Sequence, residues 1–298
     1  MNKFNIDYLK NINSHTRDSN IVFYEPTHKY TVLNDRDSKY TSVTTWNHSH
    51  FEHFDADKII KKMMSSNSWQ IGHKYFGKTP QQIKRLWDDN RDSAAKHGTQ
   101  MHYLIECFMN LAQFIHMDKN NYSYNQHSLL DLFCFYNENN SLLDICHDSN
   151  YSIDLEFKYF LNFVQAYPDL IPYRTEWVIY DDDLKLSGSI DMLFTDKNGK
   201  FHIYDWKRSK DIVKSNSWFK FSHNDDLSHI PDTNYWHYCL QLNTYKAILQ
   251  RKYNIIIDSM FLVCLHPDNK NNNFLLFQVV DLQDELTSLF SKFNTLNN

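Results

Sequence analysis

The chain has 298 residues, a formal net charge of -5, 42% hydrophobic residues and 16% aromatic residues. This length suits one large domain or two modest ones, and the composition provides for a substantial core, which excludes fibrous and low-complexity classes. The charge gives no overall attraction to nucleic acid or anionic membranes, and no segment approaches the roughly 18 apolar residues of a membrane helix.

The first region, residues 1–96, is predicted to form a strand hairpin followed by helices. Two strands are predicted at 21–33 and 39–45, and helices at 55–64 and 80–96. Pro80 suits the first turn of a helix. Gly98 is predicted to interrupt the helical pattern, and Thr99 to cap a new helix that runs from about 100 to 116.

The second region, residues 97–298, is predicted to hold a mixed sheet flanked by helices. Strands are predicted at 173–180, 186–195, 200–207, 255–265 and 274–280, and helices at 153–167, at 234–252 and from 281. The Asn198-Gly199 pair is typical of a hairpin turn. An insertion rich in Asn, Asp and Ser, at about 117–150, is predicted to lack long regular elements. This order of elements indicates an α/β or α+β fold.

The five cysteines indicate an intracellular protein with reduced thiols. Their number is odd, no CxxC motif is present, and three of them lie in apolar segments: Cys107, Cys239 and Cys264. Such cysteines are typical of buried core positions rather than disulfides. Their spacing does not fit a zinc or iron–sulfur site. The first residues also lack the apolar stretch of a secretory signal.

Asp205 and Lys207 form the most informative pair in the sequence, at the end of a predicted strand. Side chains two positions apart on a strand point to the same face, about 6.6 Å apart along it. A carboxylate and an ammonium held in this way can bind a metal and stabilise developing negative charge. The alternative is a surface ion pair, which contributes little to stability.

Three further patterns have ordinary alternatives when each is considered alone. His102 and Glu106 share a helix face, where a histidine is usually just hydrogen-bonded. Asp191 follows a small-residue segment, Gly-Ser-Ile, inside an apolar strand, where alternation could place it on the wet face. Gln241 and Tyr245 share the face of a helix that could simply be amphipathic.

Taken together, these residues predict a metal site. An imidazole, two carboxylates and a backbone carbonyl form a suitable mixed site for Mg²⁺ or Mn²⁺. Without a cation, two neighbouring carboxylates repel each other and one pKa rises. A bound divalent metal lowers the pKa of a water molecule and polarises a phosphoryl oxygen. Lys207 could hold that water or stabilise the charge on phosphate, which suits phosphodiester hydrolysis.

The ordered set H-G-T-x-x-H-x-x-x-E, G-S-I-D, D-W-K and Q-x-x-x-Y resembles the RecB-like branch of the PD-(D/E)XK nuclease superfamily. The resemblance covers about residues 97–265. It implies a restriction-endonuclease-like core and a metal-dependent deoxyribonuclease, preferentially an exonuclease on single-stranded or end-frayed DNA. The alternatives are an endonuclease on DNA or RNA, a non-catalytic nucleic-acid-binding module of the same fold, or coincidence of the motifs. The composition, rich in Asn, Lys, Tyr and Ile, suggests a large-virus or phage origin.

The resemblance also implies roles for individual residues. It implies His102, Asp191, Asp205 and the Trp206 carbonyl as metal ligands and Lys207 as the catalytic lysine. It implies that Gln241 and Tyr245 line the site, and that Glu106 and Glu176 support the ligands or hold a second metal. Some relatives carry four cysteines for an iron–sulfur cluster; this chain lacks that set, so we expect Mg²⁺ or Mn²⁺ and no cluster. No Walker A motif is present.

Nucleic acid is predicted to contact the loop that follows Lys207. The candidate residues in this loop are Arg208, Lys210, Lys214, Trp218 and Lys220. Basic side chains provide sequence-independent affinity for phosphate, and an exposed aromatic ring can stack on an unpaired base. The alternative is a solvated basic face with Trp218 covering a small core. DNA is the expected partner, RNA is an alternative, and no membrane partner is expected.

Overall fold

The structure is a computed structural model that describes residues 4–115, 127–146, 152–215 and 220–296. Its helices are α1 (Tyr8–Ile12), α2 (Val43–His48), α3 (Ala56–Met64), α4 (Pro80–Met109), α5 (Ala112–Ile115), α6 (Leu129–Glu138), α7 (Asp154–Ala166), α8 (Asn234–Lys252) and α9 (Gln283–Leu296). Its strands are β1 (Ile21–Tyr24), β2 (Lys29–Val32), β3 (Thr41–Ser42), β4 (Ile171–Asp181), β5 (Leu186–Thr195), β6 (Phe201–Lys207), β7 (Ile257–Cys264) and β8 (Leu275–Gln278).

A mixed sheet forms the centre of the molecule. β4 pairs antiparallel with the whole of β5, so β3 and β6 share the opposite edge of β5. β6 pairs parallel with β7 through the crossover helix α8, and β7 pairs antiparallel with β8. The predicted α+β class, a mixed sheet flanked by helices, is therefore confirmed.

Helices cover both faces of this sheet. On one face, α4, α6 and α7 pack against Tyr204 and Trp206 of β6. On the other face, α2, α8 and α9 pack against Ile203 of the same strand. Because neighbouring strand residues point to opposite faces, Asp205 and Lys207 point toward the α8 side. Burial of aliphatic and aromatic side chains in these two layers provides the main driving force for folding.

The predicted break at Gly98 is wrong, because α4 continues through it for 30 residues. A glycine inside a helix costs only about 1 kcal/mol relative to alanine, which a long anchored helix tolerates. Thr99 is not a cap; its hydroxyl donates to the Ala95 carbonyl within the helix, at 3.1 Å. The helix begins at Pro80, as predicted, and its N-cap is Thr79, whose side chain forms a capping box with Gln82. The predicted boundary between residues 96 and 97 thus falls inside one helix.

Three further predictions need correction. The first predicted strand is a hairpin, β1 and β2, that turns at Glu25–Thr27. The second contributes only β3 to the sheet, because Ser42 caps α2 by accepting a hydrogen bond from the Thr45 N–H. The Asn-rich insertion contains α6, which begins at a capping box between Ser128 and Asp131. This Ser-x-x-Asp signal was present in the sequence.

The five cysteines are free thiols; Cys134 is exposed and the other four are buried. Among the described helices, none is both long enough and apolar enough to span a membrane.

Candidate metal centre

The site lies at a short stretch of one edge of β5 that has no strand partner among the described residues. β3 pairs with this edge at Leu186 and Ser187, and β6 pairs with it from Met192 onward. Among the described residues, no strand pairs with 188–191 on that edge. The carboxylate of Asp191 occupies the gap and accepts the backbone N–H of Trp206 at 2.9 Å. The Gly-Ser-Ile-Asp segment therefore ends at a carboxylate that the backbone of β6 holds in place.

His102 approaches this gap from α4. Met101, Leu104 and Ile105 anchor the helix in the core, which leaves His102 directed at the sheet. A carbonyl oxygen can only accept, so Nε2 of His102 donates to the Trp206 carbonyl, at 3.0 Å. Nδ1 then faces two carboxylates, at 3.4 Å from Oε1 of Glu176 and 3.7 Å from Oδ2 of Asp191.

Glu176 enters the site through an unusual backbone conformation. Its φ is 42°, in the left-handed region that residues other than glycine seldom adopt. Thr175 pairs with Met192 and Trp177 with Ile190, so Glu176 lies opposite Asp191 in the ladder. Ser189 donates its hydroxyl to Oε2 of Glu176 at 3.3 Å. A conformation of this kind costs about 1–3 kcal/mol, and such strain is concentrated at functional sites.

His102, Glu176 and Asp191 form a group suited to a divalent cation. One ligand atom from each residue lies within 4.8 Å of the others. One imidazole nitrogen and two carboxylate oxygens are ligands that Mn²⁺ accepts and that Mg²⁺ accepts with additional oxygen ligands. The residues present therefore fit such an ion. Glu176 belongs to this group, whereas Asp205 does not, although both were ligand candidates.

Asp205 is instead paired with Lys207. The Asp205 side chain is 3% exposed, and its Oδ2 lies 2.5 Å from Nζ of Lys207. The ammonium also lies 4.6 Å from the centre of the Tyr238 ring on α8. This ion pair is buried, so the alternative of a surface pair does not apply. In a low-dielectric interior, removal of one partner leaves a costly uncompensated charge.

The titratable groups of the site have pKa values that differ from their usual ones. Burial raises the pKa of Asp205 to about 7, together with the charge of Asp191 and against the opposing charge of Lys207. Burial also raises the pKa of Asp191. Burial alone would lower the pKa of His102, but the carboxylates of Asp191 and Glu176 outweigh it and raise that pKa to about 9. The crowded carboxylates therefore favour a positive charge at this place, which can be a proton on His102 or a bound cation.

The pKa of Lys207 is also set by burial and by the neighbouring carboxylates. Burial disfavours its charged form, but the carboxylates of Asp205 and Asp191 outweigh that effect and raise its pKa. The ammonium therefore stays charged over the whole physiological range.

Glu106 lies one helical turn beyond His102 and outside the group of three. Its nearest polar contact is the Thr175 hydroxyl, which donates to Oε1 at 3.5 Å. Burial, reinforced by the charge of Glu176, raises the pKa of Glu106 to about 8. Glu106 therefore contacts the site through Thr175 and the field of Glu176, and not through the Asp191 carboxylate.

Gln241 and Tyr245 lie on the α8 side of the site. Gln241 donates through Nε2 to the Tyr245 hydroxyl at 3.0 Å. The Tyr245 ring is buried against Gly188, where an added Cβ would lie only 2.6 Å from its Cε1 atom. Gly188 is thus required for the close approach of this ring to β5.

Tyr30 of β2 also lies within reach of the charges of the site, although no sequence motif marks it. Burial raises its pKa to about 12, and the negative charges of Glu176 and Asp191 contribute. Its ring packs on Phe23 of β1 with centroids 4.6 Å apart. Only the alternation of apolar and polar residues in this hairpin could have indicated an inward-facing Tyr30.

The predicted nucleic-acid contacts are mostly paired with acids. Arg208 binds the buried Glu156 at 2.7 Å, Lys210 binds Asp268 at 3.1 Å, and Lys220 binds Glu52 at 2.6 Å. Lys214 lies 4.5 Å from the Tyr235 ring centre. Trp218 lies outside the described residues. Phosphate would have to compete with these carboxylates, so nucleic-acid contact by this loop stays a prediction.

Comparisons with known proteins give few matches. No protein-family model matches the chain, and no curated protein matches it. Among solved structures, the chain is similar to one titled "Crystal structure of SSO0001", with 16% sequence identity and a TM-score of 0.25. The match covers 65% of this chain and 86% of that chain.

Proposed function

We propose that this protein is a metal-dependent nuclease that hydrolyses phosphodiester bonds in DNA. One observation carries the proposal: His102, Glu176 and Asp191, from three separate elements, converge beside the buried Asp205–Lys207 pair. Structural ion pairs also perturb pKa values, but a lysine beside crowded carboxylates in a gap of the sheet is a typical catalytic arrangement. The resemblance to RecB-like PD-(D/E)XK nucleases supports the same reaction.

The donor set would hold Mg²⁺ or Mn²⁺ between His102, Glu176 and Asp191. When bound, such an ion supplies a Lewis acid and a water of lowered pKa. Trp206 aligns two of these ligands, because its N–H and carbonyl fix Asp191 and His102 respectively. Lys207 stays protonated and would neutralise charge that develops on the phosphate. Asp205 holds that ammonium in place.

We further propose exonuclease action on single-stranded or end-frayed DNA in an intracellular setting. The family resemblance supports the mode, and the free, largely buried thiols support the compartment. Roles in DNA repair or recombination would follow from this activity.

A digestion panel tests the proposal. Labelled linear single-stranded DNA, linear duplex DNA, circular single-stranded DNA and RNA are incubated with the protein and Mg²⁺ or Mn²⁺, with chelator as a blank. Asp191→Asn and Lys207→Met test the site, and Lys200→Met, a change at an exposed ion pair with Asp258 at the other end of β6, is the control. We expect metal-dependent loss of linear DNA that the two site variants reduce at least 100-fold.

The panel also separates the alternatives. Cleavage of the circle would indicate an endonuclease, and preferential cleavage of RNA would change the substrate class. Binding without cleavage by the intact protein would indicate a nucleic-acid-binding module. Equal cleavage by the intact protein and both site variants would contradict the proposed site.

A further inference from the structure

A pocket adjoins the metal centre at Lys207, between α2 and α8. Its volume is about 350 Å³, within the range of small-ligand sites. Thr44, Asn47 and His48 of α2 line one wall, and His237 and Gln241 of α8 line the other. Among the described residues that line it, none is acidic, although Asp205 lies directly behind Lys207. This composition favours an anionic ligand.

Asn47 provides a donor that lacks a partner. Its side chain is 1% exposed, and its oxygen lies 3.4 Å from the Thr244 hydroxyl, which donates to the Leu240 carbonyl at 2.7 Å. Its Nδ2 has no hydrogen-bond partner among the described residues. A buried amide donor without a partner costs about 1–3 kcal/mol, so it is expected to serve a ligand atom or water. Because Asn47 lines the pocket, an acceptor bound there would satisfy this donor.

Two imidazoles that line the pocket are in contact with each other. The ring centres of His48 and His237 are 5.4 Å apart. Nε2 of His237 donates to Oδ1 of Asp232 at 2.9 Å, since a carboxylate oxygen can only accept. Phe51 packs on the His237 ring with centroids 4.1 Å apart. His237 is thereby fixed in orientation. Burial lowers its pKa, so Nδ1 of the neutral ring is an acceptor and becomes a second donor only when a bound anion favours protonation of the ring.

We propose that this pocket binds the terminal phosphate monoester of a nucleic-acid strand whose chain passes Lys207. The inference rests on the proposed nuclease function and adds to it a basis for recognition of strand ends. A terminal phosphate carries up to two negative charges and three oxygen acceptors, which Asn47, His48 and His237 can receive. An internal phosphodiester carries a single charge, and the nucleic-acid chain continues on both sides of it. The grouped donors of the pocket therefore favour the phosphate at a strand end.

The test measures equilibrium binding in the absence of divalent metal, so that cleavage does not interfere. Single-stranded oligonucleotides of one sequence carry a 5′-phosphate, a 3′-phosphate or hydroxyl groups at both ends. The intact protein is compared with the double variant His48→Gln/His237→Gln, with Asn47→Leu, and with His53→Gln as a control at an exposed histidine outside the pocket.

We expect the intact protein and His53→Gln to bind one of the phosphorylated ends at least tenfold more tightly than the hydroxyl-ended strand. In the double variant and in Asn47→Leu the ratio should fall below threefold. Equal binding of all three strands by the intact protein, or an undiminished ratio in both pocket variants, would overturn the inference.

The two proposals fail separately in these experiments. Metal-dependent cleavage without any end preference would leave the nuclease function intact and remove the phosphate pocket. End preference without cleavage would leave the phosphate pocket and remove the nuclease function.

Discussion

The Asp191 carboxylate accepts the backbone N–H of Trp206 across the gap between β5 and β6, at 2.9 Å. This hydrogen bond replaces the ladder pairing between β5 and β6, which ends at the next residue of β5, Met192. One oxygen of Asp191 is thus positioned by backbone rather than by a mobile side chain. A ligand held in this way loses little additional entropy when it binds a cation.

Asp191→Asn should weaken Mn²⁺ binding at least tenfold, because it removes a negative charge while it preserves the shape of the side chain. Isothermal titration calorimetry with Mn²⁺ measures this change. Asp196→Asn is the matched control, since Asp196 follows the other end of β5 and accepts backbone N–H groups of a turn. If both variants bound Mn²⁺ like the intact protein, Asp191 would not be a ligand.

Lys207→Met should abolish most cleavage, because it removes the ammonium that would neutralise charge on the phosphate. It should retain Mn²⁺ binding, because Lys207 is not one of the proposed ligands. A loss of at least 100-fold in cleavage rate is expected for such a charge-stabilising group. The variant also leaves Asp205 buried without its partner. Chemical denaturation at pH 8 should therefore show a free energy of unfolding lower by roughly 3 kcal/mol.

Lys200→Met is the control for this change. Its ion pair with Asp258 is exposed, so the loss in unfolding free energy should stay below about 1 kcal/mol. Normal cleavage by Lys207→Met would remove this lysine from the proposed mechanism.

Two glycine substitutions should change stability in opposite directions. Gly188→Ala places a Cβ 2.6 Å from Cε1 of Tyr245 and should lower the unfolding free energy by about 2 kcal/mol. Gly98→Ala meets no atom within 4 Å and should raise it by about 1 kcal/mol, the helix-propensity difference. Thermal or urea denaturation measures both.

A second substitution verifies the cause of the Gly188 effect. Tyr245→Leu removes the opposing ring, so Gly188→Ala should cost less in that background than in the intact protein. An equal cost in both backgrounds would show that the ring contact is not responsible.

His50 should make stability depend on pH in the mildly acidic range. Burial lowers the pKa of His50 to about 4, with a smaller contribution from the charge of His223. Between pH 6.5 and about 4 the unfolded chain binds a proton at this residue that the folded protein does not. The unfolding free energy should therefore fall as the pH falls, by up to about 3 kcal/mol from this residue.

Urea denaturation of the intact protein and His50→Gln at pH 7.5, 6 and 5 measures this contribution. The difference between the two should shift in favour of the variant as the pH decreases. His53→Gln, at an exposed position, should follow the intact protein. Parallel pH profiles for the intact protein and His50→Gln would contradict the assignment.

Sequence patterns predicted much of the core because alternation and helical periodicity are local. β5, β6 and α8 begin and end within one residue of their predicted limits. The common face of Asp205 and Lys207 follows from strand geometry alone. The continuity of α4 through Gly98 was not predictable locally, since the anchoring contacts of its second half outweigh the cost of one glycine.

The composition of the metal group was less accessible from sequence. Glu176 joins it through a left-handed backbone conformation that no residue pattern indicates. Asp205 leaves it because Lys207 is close enough to form a buried pair. Tyr30 arrives from a hairpin about 70 residues before His102. Each of these placements depends on tertiary packing, which spacing along the chain does not encode.

The length of α4 and the position of His102 depend on different halves of this helix. Its second half anchors His102, whereas no residue from 84 to 99 is buried. An insertion of seven residues in this exposed half would lengthen the helix by about 10 Å and rotate its N-terminal end by only about 20°. Related chains could therefore differ in the length of the exposed half of α4, while the His102 imidazole remains directed at the gap in the sheet.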